Sequence, residues 1–214
     1  MSACCEPQGY DRIFDDREAR RAASRYRRSG LASLPRRTVE LYRDGTISGD
    51  SLLEIGGGVG DLQIEMLKAG VRTAVGVDMS PAYDDVAAEL LAEAGMTGRV
   101  ERRTGDVVAR PELATPADVV VMHSVVCCYA DVRGLLAVAA AHARRYLVVS
   151  FPRSTWWLRS AAPFMNVYPR VRHSDWRFYV HPESTILDAV TDAGLRLVQR
   201  ERLRFDHHTV FSRT

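Results

Sequence analysis

The architecture of this chain turns on residues 52–60, Leu52-Leu53-Glu54-Ile55-Gly56-Gly57-Gly58-Val59-Gly60. A short apolar strand, broken by one glutamate, leads into a glycine run, and Asp61 to Ala69 then takes up the apolar spacing of a helix. Strand, glycine turn and helix in direct succession form the first βα unit of a sheet that holds a nucleotide or nucleoside. Without side chains the turn can approach a ligand closely, and the amides of the first helical turn point toward it. The glycine letters alone are a weak signal. Their weight comes from the strand before them, the helix after them and the acidic strand end that follows.

Outward from that turn, apolar runs alternate with helical stretches: Thr73 to Val77, Tyr83 to Ala94, Arg99 to Arg103, Val119 to Met122, Val132 to Ala143 and Tyr146 to Phe151. This order predicts an α/β fold of Rossmann-like type, a mainly parallel sheet covered on both faces. A helix beginning near Pro182-Glu183 precedes a break in the rhythm. Leu195 to Arg204 and His208 to Ser212 read as a hairpin added at the sheet edge. Upstream, residues 11–44 read as one or two helices, with Asp15-x-x-Glu18 as a capping box and Gly30 as a stop. A second helix is expected from Leu34-Pro35 to Asp44-Gly45. Residues 1–50 are thus a helical extension packed on a core of 51–214, in which 152–180 forms an insertion.

Composition bounds the answer. With 214 residues, 46% hydrophobic and 26% charged, the chain can build one substantial core. The balance of 29 Lys and Arg against 27 Asp and Glu excludes a strongly charged carrier and leaves the partner open. No apolar stretch reaches the roughly 20 residues of a membrane span, and the first residues lack the pattern of a secretory signal. A cytoplasmic protein without stable membrane insertion is expected. The cysteines form adjacent pairs, Cys4-Cys5 and Cys127-Cys128, unlike a disulfide framework or a zinc site. The arginines between Arg17 and Arg28 suit a solvated helix face better than a nucleic-acid or lipid contact.

Asp78 ends the second strand, where an acid can accept from both ribose hydroxyls; a capping role before Pro81 is the alternative. Thr104-Gly105-Asp106 follows the third strand and can place Asp106 beside an adenine amino group or serve a turn. With Glu54, Met79, Gly105 and His123, these acids and the glycine turn make up the expected cofactor site.

These ordered motifs resemble the class I S-adenosylmethionine-dependent methyltransferase family over most of residues 51–214. The resemblance implies a seven-stranded sheet with an antiparallel final strand, S-adenosylmethionine as methyl donor and S-adenosylhomocysteine as product. Under it, Glu54 is the acid of the glycine-motif strand, Gly56, Gly57, Gly58 and Gly60 form the cofactor turn, Asp78 binds ribose and Asp106 lies near adenine. Asp118 to Ser124 then matches the strand whose end borders the reacting methyl. A closer resemblance is to magnesium-protoporphyrin O-methyltransferases. It is carried by Tyr26-Arg27-Arg28-Ser29-Gly30-Leu31, Val125-Val126-Cys127-Cys128-Tyr129, Ser150-Phe151-Pro152-Arg153 and Phe178-Tyr179-Val180-His181-Pro182. It does not fix the acceptor.

The insertion is rich in aromatic residues. Trp156, Trp157, Tyr168 and Trp176 can enclose a planar or hydrophobic acceptor, and Arg153 can orient an anion; fastening the insertion to the sheet is the other use of the same side chains. Tyr26 and Tyr129 can supply hydroxyl contacts or pack. His123 is the expected general base or acceptor-orienting group near the cofactor, with a structural histidine as the alternative. His207-His208 on a strand point to opposite faces and make no ready metal pair, so no protein-bound metal is expected. The function expected is in-line methyl transfer to a small aromatic or hydrophobic acceptor by a monomer or homodimer, with nucleic acid not expected as a partner. The rival readings are a nicotinamide-dependent oxidoreductase and a non-catalytic S-adenosylmethionine-binding protein.

Overall fold

The computed structural model describes residues 10–203 and 205–213. The Cys4-Cys5 pair, and Arg204 at the expected strand end, lie outside them. Two helices open the chain, α1 (Asp16–Ser29) and α2 (Ser33–Arg43). Asp15 caps α1 by accepting from the Glu18 amide at 2.9 Å. Gly30, at φ 68°, ends it with its own amide on Tyr26 O. α2 begins at Ser33 and closes at Asp44.

The βα alternation then follows as β1 (Ser51–Ile55), α3 (Asp61–Ala69), β2 (Thr73–Asp78), α4 (Asp84–Glu93), β3 (Val100–Thr104), β4 (Ala117–His123), α5 (Val132–His142) and β5 (Ala143–Pro152). After an insertion come α8 (Glu183–Asp192), β6 (Leu195–Leu203) and β7 (Asp206–Arg213). The seven strands lie in the order β3-β2-β1-β4-β5-β7-β6. β1 to β5 are parallel to one another, and β7 is antiparallel to both β5 and β6. The expected hairpin is present, but its second strand takes the inner place. β7 carries five consecutive buried residues, His207 to Phe211, whereas β6 exposes most of its charged side chains. The buried strand pairs on both sides and the charged one forms the edge, which discourages edge-to-edge association.

The sheet separates two apolar clusters by the two-residue period of its strands. Leu53, Val120, Met122, Leu147 and Val149 face α5 and α8, packing on Leu135, Leu136, Ile186 and Val190. Leu52, Val119, Val121 and Val148 face the other way, onto Val39 and Leu41 of α2 and Leu62 and Met66 of α3. Each of these buried aliphatic side chains contributes roughly 1.5–3 kcal/mol of transfer free energy. Ala19 and Ala23 of α1 join Ile64, Val86 and Leu90 in a third cluster, so the first helix rests on α3 and α4.

Two elements differ from expectation. α5 runs straight into β5 with no loop, because β5 starts at Ala143 opposite Ala117 and a register irregularity between Ala117 and Val119 absorbs the exposed Arg144 and Arg145. The insertion is largely helical, with α6 (Trp156–Met165) and α7 (Val167–Val171). Pro163 sits late in α6, where it withdraws one amide and hides the helical pattern from sequence. No helix among the described residues is long and apolar enough to cross a membrane.

Candidate functional site

β1 is flanked by β2 on one side and β4 on the other, so the chain reverses its direction of sheet growth there. A parallel sheet opens a crevice at the carboxyl ends of its strands at such a point. Here a cleft of about 250 Å³ lies between the ends of β1, β2 and β4.

The glycine turn forms its floor. Gly56, Gly58 and Gly60 have φ of 72°, 48° and 76°, conformations that side chains with a Cβ rarely adopt. The turn is held from three sides: Gly56 N–H donates to Val77 O at 2.8 Å, Gly60 N–H to Gly57 O at 2.8 Å, and Gly58 N–H to Asp78 Oδ2 at 2.8 Å. Gly57 needs its missing side chain for a different reason. A Cβ there would stand 2.7 Å from Gln63 Nε2 and 2.8 Å from Glu54 Oε2. Those two groups form a buried pair behind the turn, Gln63 Nε2 donating to Glu54 Oε2 at 2.9 Å. Burial pushes the Glu54 carboxyl up to about 8, so it is largely protonated at neutral pH. Arg102, not foreseen from sequence, donates to Gly58 O at 2.8 Å and to Asp84 Oδ1 at 3.1 Å, tying the turn to α4.

Two carboxylates stand at successive strand ends. Asp78 accepts from Gly58 N–H through Oδ2 and from Ser80 N–H through Oδ1, at 2.8 and 2.9 Å. Its pKa is raised by burial, with the two amides opposing the shift. Asp106 accepts from Val108 N–H at 2.8 Å and from the Tyr129 hydroxyl at 2.7 Å. Each carboxylate oxygen has a second lone pair left for a ligand. Gly105 donates to Asp78 O at 2.8 Å, which links the two acids through backbone. Met79 and Gly105 line the cleft beside them. The roof comes from the N-terminal segment, where Tyr10 and Phe14 lean over the cleft and Tyr10 OH donates to Cys128 O at 2.9 Å.

His123, at the end of β4, is fully engaged. Its Nε2 lies 2.9 Å from Thr38 Oγ1 and its Nδ1 3.0 Å from Ser150 Oγ. Thr38 Oγ1 also lies 2.9 Å from His208 Nε2. Ser150 Oγ also accepts from the Ser124 amide at 3.2 Å. Both ring nitrogens of His123 are thus held by hydroxyl partners in either neutral tautomer. Burial pulls His123 down to about 3 and His208 to about 4, so both rings are neutral. The expected general base therefore has no ring lone pair free to take a proton. The histidine instead ties α2 to β4, β5 and β7.

The other expected site residues divide. Tyr129 lines the cleft with its hydroxyl on Asp106. Tyr26 does not reach it: its hydroxyl donates to Glu65 Oε1 at 2.7 Å and clamps α1 to α3. Trp176 packs edge-on against Phe14 in the roof, ring centroids 5.8 Å apart. Arg153 and Trp157 line a separate cavity of about 400 Å³ with Phe178 and Phe205. Trp156 and Tyr168 line neither; they are 80% and 62% exposed on the outside of the insertion. Tyr10, Phe14, Thr38 and Arg102 are the contributors that sequence did not single out. Their signal is purely spatial, since each acts on residues far along the chain. Among the described residues, no group of three or more His, Cys, Asp or Glu is placed to hold a metal ion.

With this geometry in view, similarity to known proteins is informative. The solved structures it resembles include magnesium protoporphyrin IX methyltransferase from Synechocystis PCC 6803 with bound S-adenosylmethionine, at 20% identity, TM-score 0.66, and coverage of 97% of this chain and 92% of that one. An O-methyltransferase family protein from Burkholderia thailandensis aligns at 19% identity and TM-score 0.73 over 97% of this chain, which spans 63% of that longer protein. A TehB-like S-adenosylmethionine-dependent methyltransferase from Corynebacterium glutamicum aligns at 16% identity and TM-score 0.63, covering 94% of this chain and all of that one. At these identities the likeness establishes the fold. No curated protein matches by sequence. The sequence profile of the family described as a methyltransferase domain matches residues 18–200, from α1 through most of β6. This chain belongs to the methyltransferase-domain family.

Proposed function

We propose that this protein transfers a methyl group from S-adenosylmethionine to a small aromatic or hydrophobic acceptor in the cleft above β1, β2 and β4. S-adenosylmethionine is the donor of this family; its sulfonium supplies an electrophilic methyl and leaves as the neutral thioether. The observation that carries the reading is the convergence of Asp78, Asp106 and the glycine turn on one cleft walled by Ile55, Val77, Val107 and Leu135. Such a donor set fits a nucleoside. Asp78 has lone pairs for a ribose diol, Asp106 has one for an exocyclic amine, and the apolar wall suits a purine face. Gly58 and the Tyr83 ring both line that cleft, and Gly58 has no side chain to fill it.

Tyr129 on the cleft wall and Trp176 against Phe14 in the roof are the acceptor-side contacts in this reading, while Arg153 and Trp157 line a separate cavity. His123 acts as a positioning residue. It fixes the end of β4, and with it Ser124 and Val125, against the cleft. An acceptor that arrives already ionised needs no base, and alignment with exclusion of water then carries the rate. The nicotinamide reading of the glycine turn gives way to the family match over residues 18–200.

The test incubates the purified chain with methyl-labelled donor and fractionated cell extract and identifies labelled products by mass. A labelled small aromatic or hydrophobic product, lost in Asp78→Ala, is expected. Donor binding with no labelled product in any fraction would make the chain a binding protein instead.

A further inference from the structure

Nearly every element of this fold buries one side; α6 buries none of its residues. Trp156, Phe164 and Val171 are 80%, 79% and 70% exposed, and Met165, Val167 and Tyr168 are exposed beside them on α6 and α7. Charge in this region is one-sided as well. From residue 132 to residue 174 the sequence contains no Asp or Glu, although the whole chain has 27 acids against 29 basic residues. Arg159, Arg170 and Arg172 are exposed among these apolar side chains, and Arg153 lines the cavity beneath them. No ion pair joins any of the four to a carboxylate among the described residues. The segment that follows α7 returns to the cleft: Tyr179 N–H donates to Cys127 O at 2.7 Å, and the next residue, Cys128, is part of the cleft wall.

We propose that the outer face of α6 and α7 docks on the surface of an anionic lipid bilayer. Exposed tryptophan and phenylalanine with interspersed arginine is the chemistry that seats a helix in a headgroup layer, the rings reaching the acyl boundary and the guanidinium groups meeting lipid phosphates. Charge selects this occupant over a second copy of the chain. A two-fold dimer sets the same patch against itself, and here that would oppose arginines to arginines with no acid in the stretch to separate them. A nucleic acid would satisfy the arginines and give the rings stacking partners, but it would leave Met165, Val167 and Val171 in water. A bilayer covers both classes of side chain.

The test is co-sedimentation with vesicles of phosphatidylcholine alone and of phosphatidylcholine with an equal amount of phosphatidylglycerol, at low and high salt. Tryptophan emission and the oligomeric state by analytical ultracentrifugation are measured in parallel. The full chain is expected to bind the anionic vesicles with a blue-shifted emission, to release in high salt and to ignore the neutral vesicles. Trp156→Ser with Phe164→Ser should weaken binding by at least about tenfold. Arg159→Gln with Arg170→Gln should weaken it about fivefold per arginine. All four positions are exposed, and unchanged calorimetric binding of S-adenosylmethionine verifies that the variants fold and keeps this test separate from the methyl-transfer reading. Absence of anionic-vesicle binding, or binding that neither variant pair weakens, overturns the proposal. So does a dimer dissolved by Trp156→Ser with Phe164→Ser, which would name a second copy as the occupant, or tighter binding to oligouridylate than to the vesicles.

Discussion

Replacing Glu54 with Gln keeps the shape of the side chain behind the glycine turn and removes its titration. The carboxyl is 4% exposed. Burial first, then the neighbouring Asp61 carboxylate, lifts its pKa from the usual 4.5 to about 8, against the pull of Gln63 and Arg102. Between those values the folded protein holds a proton that the unfolded chain has released. The stability tied to Glu54 is therefore fully present below about pH 4.5 and is lost as the pH rises toward 8. At about 1.4 kcal/mol per pH unit, that window corresponds to on the order of 5 kcal/mol. His123 and His208 work with the opposite sign. Held down at about 3 and about 4, they contribute stability that is present above the ordinary 6.5 and is lost as the pH falls toward those values. The wild-type curve sums these opposed slopes, and the difference between wild type and Glu54→Gln isolates the carboxyl. Urea titrations of both proteins at several values between about pH 5 and pH 8 read it directly. The wild type should lose several kcal/mol relative to the variant across that range. Parallel curves would refute the picture of a protonated carboxyl buried against Gln63.

Thr38→Val removes the hydroxyl shared by two buried histidine nitrogens; at about 1–3 kcal/mol for each orphaned group, denaturant titration should show a loss of about 2–6 kcal/mol, and a loss below about 0.5 kcal/mol would contradict the network. Gly57→Ala drives a Cβ to within 2.7 Å of Gln63 Nε2 and should cost about 1–3 kcal/mol while weakening donor binding, so an unchanged melting temperature would show that the pair behind the turn is looser than described. The rate of methyl transfer should show no histidine ionisation between about pH 6 and pH 8, because His123 is neutral and engaged on both nitrogens. An ionisation in that range that disappears in His123→Gln would restore the histidine as base.

The parallel core was legible because each element carries its own signal. The strands β1, β2 and β4 are apolar runs, and Gly56, Gly58 and Gly60 occupy positive φ that few other residues tolerate. The positions of Asp78 and Asp106 were legible for the same reason, Asp78 ending β2 and Asp106 standing two residues beyond β3. What escaped depends on distance in sequence. The Thr38, His123, Ser150 and His208 network draws one residue from each of four elements spread over 170 positions, so no local pattern distinguishes a hub histidine from a catalytic one. Tyr10 and Phe14 are ordinary in their own segment and become cleft roof only by chain folding. In the insertion, Pro163 and Pro169 masked the helices, and aromatic content suggested enclosure where Trp156 and Tyr168 instead face outward. The inner place of β7 follows from five buried residues in a row, which sequence shows only as a histidine pair followed by apolar residues.

An S-adenosylmethionine site at the carboxyl end of β1, β2 and β4, organised by Asp78, underlies the proposed methyl transfer. Titration calorimetry of the wild type and of Asp78→Ala with S-adenosylmethionine addresses it most directly. One molecule should bind per chain in the wild type, and the substitution should weaken binding at least about tenfold through loss of a charge-assisted contact. Equal affinity in the two proteins would place the cofactor elsewhere, and heat with a nicotinamide dinucleotide but none with S-adenosylmethionine would rule out the proposed methyl donor.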